Sequence, residues 1–560
     1  MLVAVAISAG LVVAALLAIV LWLSFAEGLV GDKMVAYGLD HYRDIFLDDF
    51  TYRVLWNTIL FTLTTLIVSF VLAFPIAWLI ERTDFPGKSI VLSLMTMGLL
   101  IPGFAVALGW VFLLNPTIGL INHALRDLLA LSDAPFNVST IPGMGCVEGL
   151  SLTPLAFIMI SVVLRSMDPS LEEAAAMSGA PPWRAVLGVT LRVLWPGLLG
   201  TIIYVSAVCF AAFDVPAILG LTSRIYTFST YVYHELSPAD GPIEYGDVAA
   251  LSVFMIGLAI VLSWCAIRTQ RDAWKYTVIA GKAYRPRTIA LGRARYPWVC
   301  FVVGYFILSQ LLPFVMLVWA ALIPYLELPS AGAFADVSLA NFGSIPRGIL
   351  MGAIGNTVML MVAVPTLTLA ASLAISWVLL RTRIPGRGLL EFSALLPLTV
   401  PPIVFAVAAL LFALFVSRHV VPIYGTIWIL VVAYSVARLS YGTRMTNGAL
   451  IQIHRELEEA AAMSAAGRFA TLRDVILPIL SPTLLYAWIW IALLSYRELT
   501  LPVVLSTDQK IPVSVLVWGY ILSSGYGTAS AVTLVMLLLM APVLVVYWVV
   551  ARRAGIVAPR

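Results

Sequence analysis

What limits this chain most is its series of apolar stretches, each close to the ~20 residues that a helix needs to cross a bilayer core. Twelve can be drawn, near residues 3–26, 54–80, 90–114, 150–164, 194–220, 247–267, 298–324, 351–380, 389–416, 425–443, 481–506 and 528–550. Composition agrees. Hydrophobic residues make up 61% of the 560 and charged residues 11%, against ~25% charged in soluble domains, and the mean hydropathy is +1.00. The loops left over are too short to hold a folded soluble domain of ~100 residues, which excludes a built-in nucleotide-binding or receptor domain. Cys146, Cys209, Cys265 and Cys300 are far apart in sequence, so neither a disulfide framework nor a zinc site is indicated.

The first run has Ser24-Phe25-Ala26 near its end, which resembles a cleavage site, but it lacks the basic stretch that opens a signal peptide. It is therefore expected to be a retained first crossing, with the true start slightly truncated. Lys and Arg counts set the orientation, because positive loops stay in the cytoplasm. With the N-terminus inside, 24 of the 33 basic residues fall on the cytoplasmic side, Arg438 among them, and Arg497 falls within a span. The expected fold is an all-α membrane protein of about twelve transmembrane helices with both termini cytoplasmic.

The sequence also repeats itself. Trp78 to Lys88 matches Trp377 to Arg387 at an offset of 299, through Arg82-Thr-x-x-Pro86-Gly87 and Arg381-Thr-x-x-Pro385-Gly386, and Asn57-Thr58 matches Asn356-Thr357 at the same offset. Further along, Leu171-Glu-Glu-Ala-Ala-Ala-Met-Ser178 matches Leu457-Glu-Glu-Ala-Ala-Ala-Met-Ser464 at 286. The drop of 13 places an insertion in the first half, most simply between Asn115 and Gly149. Two tandem six-helix units follow, 1–267 and 297–560, joined by a basic linker, 268–296, that reads either as a tether near anionic headgroups or as a regulatory segment.

The matched Glu-Ala-Ala segments are the sharpest signal. Asp168 can cap a helix that begins at Pro169, Glu172 and Glu173 lie in its positive first turn, and Gly179 is placed to end it. Its small alanine face suits close approach by another protein, although an interfacial helix folded on its own bundle would look similar. The two copies, Glu173-Ala174-Ala175 with Gly179 and Glu459-Ala460-Ala461 followed by Val475 and Leu477-Pro478, resemble the cytoplasmic signature of binding-protein-dependent ABC importer permeases. Arg192 stands where that signature has its first proline, and Ala465 replaces its second glycine, with Gly467 close enough to act as the cap.

This resemblance implies a fused permease in the bacterial cytoplasmic (inner) membrane. Each signature helix, with Glu172 or Glu458 beside the Glu-Ala-Ala triplet, would engage one of two copies of a cytoplasmic ABC ATPase. A periplasmic or lipid-anchored substrate-binding protein would dock outside. ATP and magnesium would be held by the ATPase, and no cofactor or nucleic acid is expected in this chain. The chain is not expected to hydrolyse ATP: Gly87-Lys88-Ser89 ends like a P-loop, but Arg82 stands where the first glycine is required.

Ionisable residues within spans are candidate pathway groups, and here they are Asp214, Arg497 and Glu498, beside Pro216 and Pro502, which would bend their helices. A charge cluster that only locks the bundle is the alternative. The R-T-x-x-P-G loops and the stretch Arg224 to Thr230 are similar to the ferric-iron branch of the family, with thiamine, phosphonate and polyamine importers as relatives. Tyr231, His234 and Glu235 share a helix face and could ligate a hard metal, or form an interfacial aromatic belt. A proton-coupled secondary transporter is the rival class, but it would need more membrane-embedded acids or histidines and leaves two matched signature helices without a reason. A scaffold without transport would leave the charged pair in a span unexplained.

Overall fold

A computed structural model describes residues 2–27, 36–167, 170–179, 181, 184, 186–237, 243–273, 288–325, 327, 329–464, 467, 470–507 and 510–553. The first repeat runs through α1 (Leu2–Leu23), α2 (Asp40–Leu47), α3 (Asp49–Arg82), α4 (Lys88–Gly98), α5 (Gly103–Leu114), α6 (Leu120–Leu129), α7 (Ile141–Ser166), α8 (Ser170–Met177), α9 (Leu191–Phe210), α10 (Asp214–Gly220), α11 (Phe228–Glu235) and α12 (Tyr245–Ala273). The second runs through α13 (Arg295–Phe306), α14 (Leu312–Leu322), α15 (Arg347–Arg381), α16 (Arg387–Leu395), α17 (Pro402–His419), α18 (Ile427–Ala437), α19 (Leu439–Ile451), α20 (Arg455–Met463), α21 (Leu477–Tyr496), α22 (Thr500–Leu505), α23 (Val513–Leu522) and α24 (Tyr526–Arg553). One two-stranded antiparallel ladder pairs Ala26–Glu27 with Ala36–Tyr37.

Among the described residues, ten helices are long and apolar enough to cross a membrane, and α4 with α5, bent by 97°, makes an eleventh. The stretch expected as a span at 425–443 is split. Its apolar part ends with α18, Arg438 stands at the break, and α19 continues with Ser440, Gly442, Thr443, Arg444, Thr446 and Asn447. Helix α3 shows why the long segments suit lipid. It buries Thr58, Thr65, Ser69 and Ala73, while Trp56, Ile59, Leu63, Ile67 and Val71 form an exposed apolar stripe at helical spacing.

The described chain forms two compact units. One is Asp49–Tyr231 with Gly257–Val337, and the other is Met1–Asp48 with Val232–Ile256 and Ser338–Arg560. Each unit therefore gathers most of one repeat and takes the opening helix of the other. Helix α14 packs on α5 in the former, and α1 packs on α15, α16 and α17 in the latter.

Small residues let the helices close. In the first unit Gly145 and Gly149 of α7 face α3, where added Cβ atoms would lie 2.6 Å from Thr64 Cβ and from Val68 Cβ. This is small-residue packing at four-residue spacing, as membrane helices use it. The core beside it is formed by Ile76, Leu79, Phe157, Ile160 and Leu164.

The repeat persists in its hydrogen bonds. Asn57 Nδ2 donates to the Tyr226 carbonyl (3.2 Å), and Thr58 Oγ1 accepts from Phe228 N (2.8 Å). In the other unit Asn356 Nδ2 donates to the Ile511 carbonyl (3.0 Å), and Thr357 Oγ1 accepts from Val513 N (2.9 Å). The Asn-Thr pair thus clamps the start of a long helix to the loop before α11 or α23. The first half's additional segment is α6 with its flanks, fixed by the fully buried Asn122. That side chain donates to the carbonyls of Leu114, Asn115 and Phe136 and accepts from Phe136 N.

Candidate coupling and pathway sites

Helix α8 carries the first signature. Ser178 N still bonds the Ala174 carbonyl, and Gly179 then takes φ +81°, a left-handed conformation that ends the helix cheaply only at glycine. The expected cap, Asp168 and Pro169, lies outside the described residues.

Glu172 turns inward. Its carboxylate lies 3.4 Å from Arg82 Nε and accepts a 2.6 Å bond from the Thr190 hydroxyl. Arg82, the last residue of α3, is 6% exposed, and its Nη2 donates to the carbonyls of Leu164 (2.9 Å) and Met167 (3.1 Å). A helix leaves its last carbonyls unpaired and its C-terminus partly negative, so a buried guanidinium there satisfies both. One side chain thereby joins the end of α3, the end of α7 and the signature helix.

The second copy repeats the arginine's contacts, without a counterpart of the Thr190 bond. Arg381, the last residue of α15, lies 2.5 Å from Glu458 through Nε and donates from Nη2 to the carbonyls of Leu450 (3.2 Å) and Ile453 (2.8 Å). Arg82 and Arg381 entered the sequence reading only as members of a repeated loop motif. The available signal was that both partners recur, the arginine at an offset of 299 and the glutamate at 286.

The second glutamate of each pair points elsewhere. Glu459 is exposed, and Glu173 is half-buried with Oε1 lacking a hydrogen-bond partner among the described residues. Ala174 and Ala460 are exposed, Ala175 and Ala461 partly so, and Met177 and Met463 are each 89% exposed. Gly467 is exposed after α20, while Ala465 lies outside the described residues, as do linker residues 274–287. Each signature helix thus fastens one face through its first glutamate and presents alanine, methionine and serine on the other.

The helices are interrupted near Pro216 and Pro502, but not at the prolines themselves. Helix α9 stops at Phe210 and α10 starts at Asp214, and α21 stops at Tyr496 with α22 starting at Thr500. Pro216 and Pro502 lie buried in the first turns of the short helices, where a missing N–H costs nothing. Asp214 is half-buried against the first turn of α5, with Oδ2 3.2 Å from where a Gly103 Cβ would be. A carboxylate suits that positive helix end.

Arg497 caps α21. Glu498, beside it, binds Arg438 at the α18–α19 break, and its backbone carbonyl accepts from Ser514 Oγ (2.9 Å). Arg438 and Glu498 are 16% and 12% exposed. Beyond Arg438, α19 continues for 13 residues to Ile451. The pairing of Arg438 with Glu498 was not legible in the sequence.

Tyr231, His234 and Glu235 lie on α11, and Tyr231 is buried edge-on against Phe50, with ring centroids 5.2 Å apart. No group of three His, Cys, Asp or Glu side chains able to hold a metal occurs among the described residues.

The sequence matches the family described as binding-protein-dependent transport system inner membrane component over residues 54–271 and again over 366–556. The Fe(3+)-transport system permease protein FbpB 2 of Haemophilus influenzae is 23% identical over 492 residues, 87% of each chain. The ferric transport system permease protein FbpB of Actinobacillus pleuropneumoniae is 22% identical over 84% of this chain and 66% of that one. The trehalose transport system permease protein SugA of Mycobacterium tuberculosis is 26% identical over 44% of this chain and 80% of that one.

Proposed function

The chain belongs to the family of binding-protein-dependent transport system inner membrane components and crosses the inner membrane many times, and from that premise we propose that it is the fused permease subunit of an ATP-driven ferric-iron importer. The observation that carries this reading is the pair of signature helices. They occupy equivalent positions in the two repeats and offer the same outward surface, ending in Met177 and Met463. One chain would then serve two ATPase subunits, one at Glu173, Ala174, Ala175 and Gly179, the other at Glu459, Ala460, Ala461, Ala465 and Gly467. Both signature helices and both termini would face the cytoplasm.

Closure of the ATPases on ATP would move the two signature helices and shift the spans between two arrangements, a bistable change of the kind that transporters use. A loaded substrate-binding protein would deliver cargo at the opposite side. Asp214, Arg497 and Glu498 would line the pathway, with Arg438 holding Glu498 in place. Ferric iron is favoured because ferric permeases are similar over most of this chain.

Vesicles containing this chain, its ATPase and its binding protein should accumulate radioactive ferric iron only with ATP inside the compartment that holds the ATPase. Uptake driven by a proton gradient without any ATPase would refute the importer reading. ATP-driven uptake of thiamine, phosphonate or polyamine, but not iron, would refute only the cargo.

A further inference from the structure

We infer that Arg82 and Arg381 are positioning residues that convert movement of the signature helices into movement of the membrane helices. This rests on the importer reading above and adds the place where force enters each unit. Three observations point to it. Each arginine is the last residue of its long helix, α3 or α15. Each has a side chain no more than 9% exposed and holds the first signature glutamate on one side. Each also donates from Nη2 to two backbone carbonyls at the end of the helix before the signature, α7 or α19. A signature helix pushed by a partner therefore cannot move independently of the two long segments fastened at the same side chain.

The chemistry requires arginine. A guanidinium presents five donors in a fixed planar fork, whereas lysine places its donors around one point. Lysine would keep the charge opposite Glu172 or Glu458 and lose the simultaneous grip on two carbonyls. The first joint has one extra tie, from Thr190 Oγ1 to Glu172. The corresponding residue of the second repeat is Ile476, so the two joints are not equally stiff.

An exposed neighbour provides the control. Arg165 joins the end of α7 to Glu81 on α3 at 2.7 Å, but it is half exposed. It spans the same two helices without touching the signature helix.

The test is uptake per ATP hydrolysed in vesicles containing the full complex and binding protein, for Arg82→Lys, Arg381→Lys and Arg165→Ala. Both lysine variants should still co-purify with the ATPase, while uptake per ATP falls by about 5-fold or more, the lower range of ordinary coupling between sites. Arg165→Ala should match the unaltered chain. A double variant, Arg82→Met with Glu172→Leu, removes the buried pair without stranding a charge. It should restore thermal stability but not uptake per ATP, and this separates positioning from a merely structural role. Unaltered uptake per ATP in both lysine variants, or full recovery in the double variant, would overturn the inference. So would loss of ATPase binding in the lysine variants, because the arginines would then build the docking surface. Failure of the unaltered chain to bind any ATPase would instead refute the importer reading on which the inference stands.

Discussion

Arg438 and Glu498 show what a single buried pair does here. Both are mostly covered, and each lies where a helix is interrupted, Arg438 between α18 and α19 and Glu498 between α21 and α22. Removing one partner leaves the other charge without compensation, which typically costs ~3–5 kcal/mol. Arg438→Ala should thus lower unfolding stability in detergent by about 3 kcal/mol, the low end of that range. The apolar replacement Arg438→Met with Glu498→Leu should recover most of it, and a double variant no more stable than the single would show that the pair is not responsible. Transport should fall further in Glu498→Ala than in Asp336→Ala, since Asp336 is an exposed loop residue. Little of this was legible beforehand. Glu498 stood out because carboxylates are rare in apolar runs, but Arg438 sits close enough to the end of an apolar run to be counted with the loop beyond it. Composition cannot show that a polar helix follows the break when a neighbouring helix of the same unit, α15, packs against it.

Among the elements, the signature helices and the long spans were readable and their fastening was not. The acidic first turn, the alanine face and the glycine stop predicted α8, and Gly179 does end it at φ +81°. That Glu172 faces inward and Glu173 does not could not be decided from two adjacent glutamates without the arginine that holds one of them. Glu459→Lys, on the exposed position, should weaken ATPase association without lowering the chain's own stability, and binding at the unaltered affinity would remove it from the docking surface. The fastening of α2 to α12 carries a pH dependence. His41 Nδ1 lies 2.6 Å from Asp247, and Nε2 lies 3.1 Å from the Ala26 carbonyl oxygen. Burial pulls the His41 pKa down, but the Asp247 and Ala26 hydrogen bonds and the charges of Asp247 and Glu244 outweigh it, leaving the pKa above its ordinary value. The bound proton then stabilises the folded state. That contribution is complete below about pH 6.5, the unfolded pKa, and is lost as pH rises through the higher folded pKa. Titration of His41 by NMR should show this elevation, and Asp247→Asn should reduce it; an unchanged pKa in that variant would contradict the assignment.

At the scale of the whole molecule, the repeat was visible in the sequence while the exchange of opening helices was not. Offsets of 299 and 286 place Asn57 with Asn356 and Glu172 with Glu458, and the hydrogen bonds of these residues are duplicated accordingly. No apolar pattern states which partner an apolar helix selects, so α1 and α14 could be assigned to a unit only once their neighbours were known. The central claim is that one chain carries two equivalent coupling surfaces. Native mass spectrometry of the complex purified with its ATPase measures this directly. Two ATPase subunits per chain are predicted, falling to one when either Met177→Glu or Met463→Glu is introduced and to none when both are. One subunit on the unaltered chain, or two retained by the double variant, would contradict it.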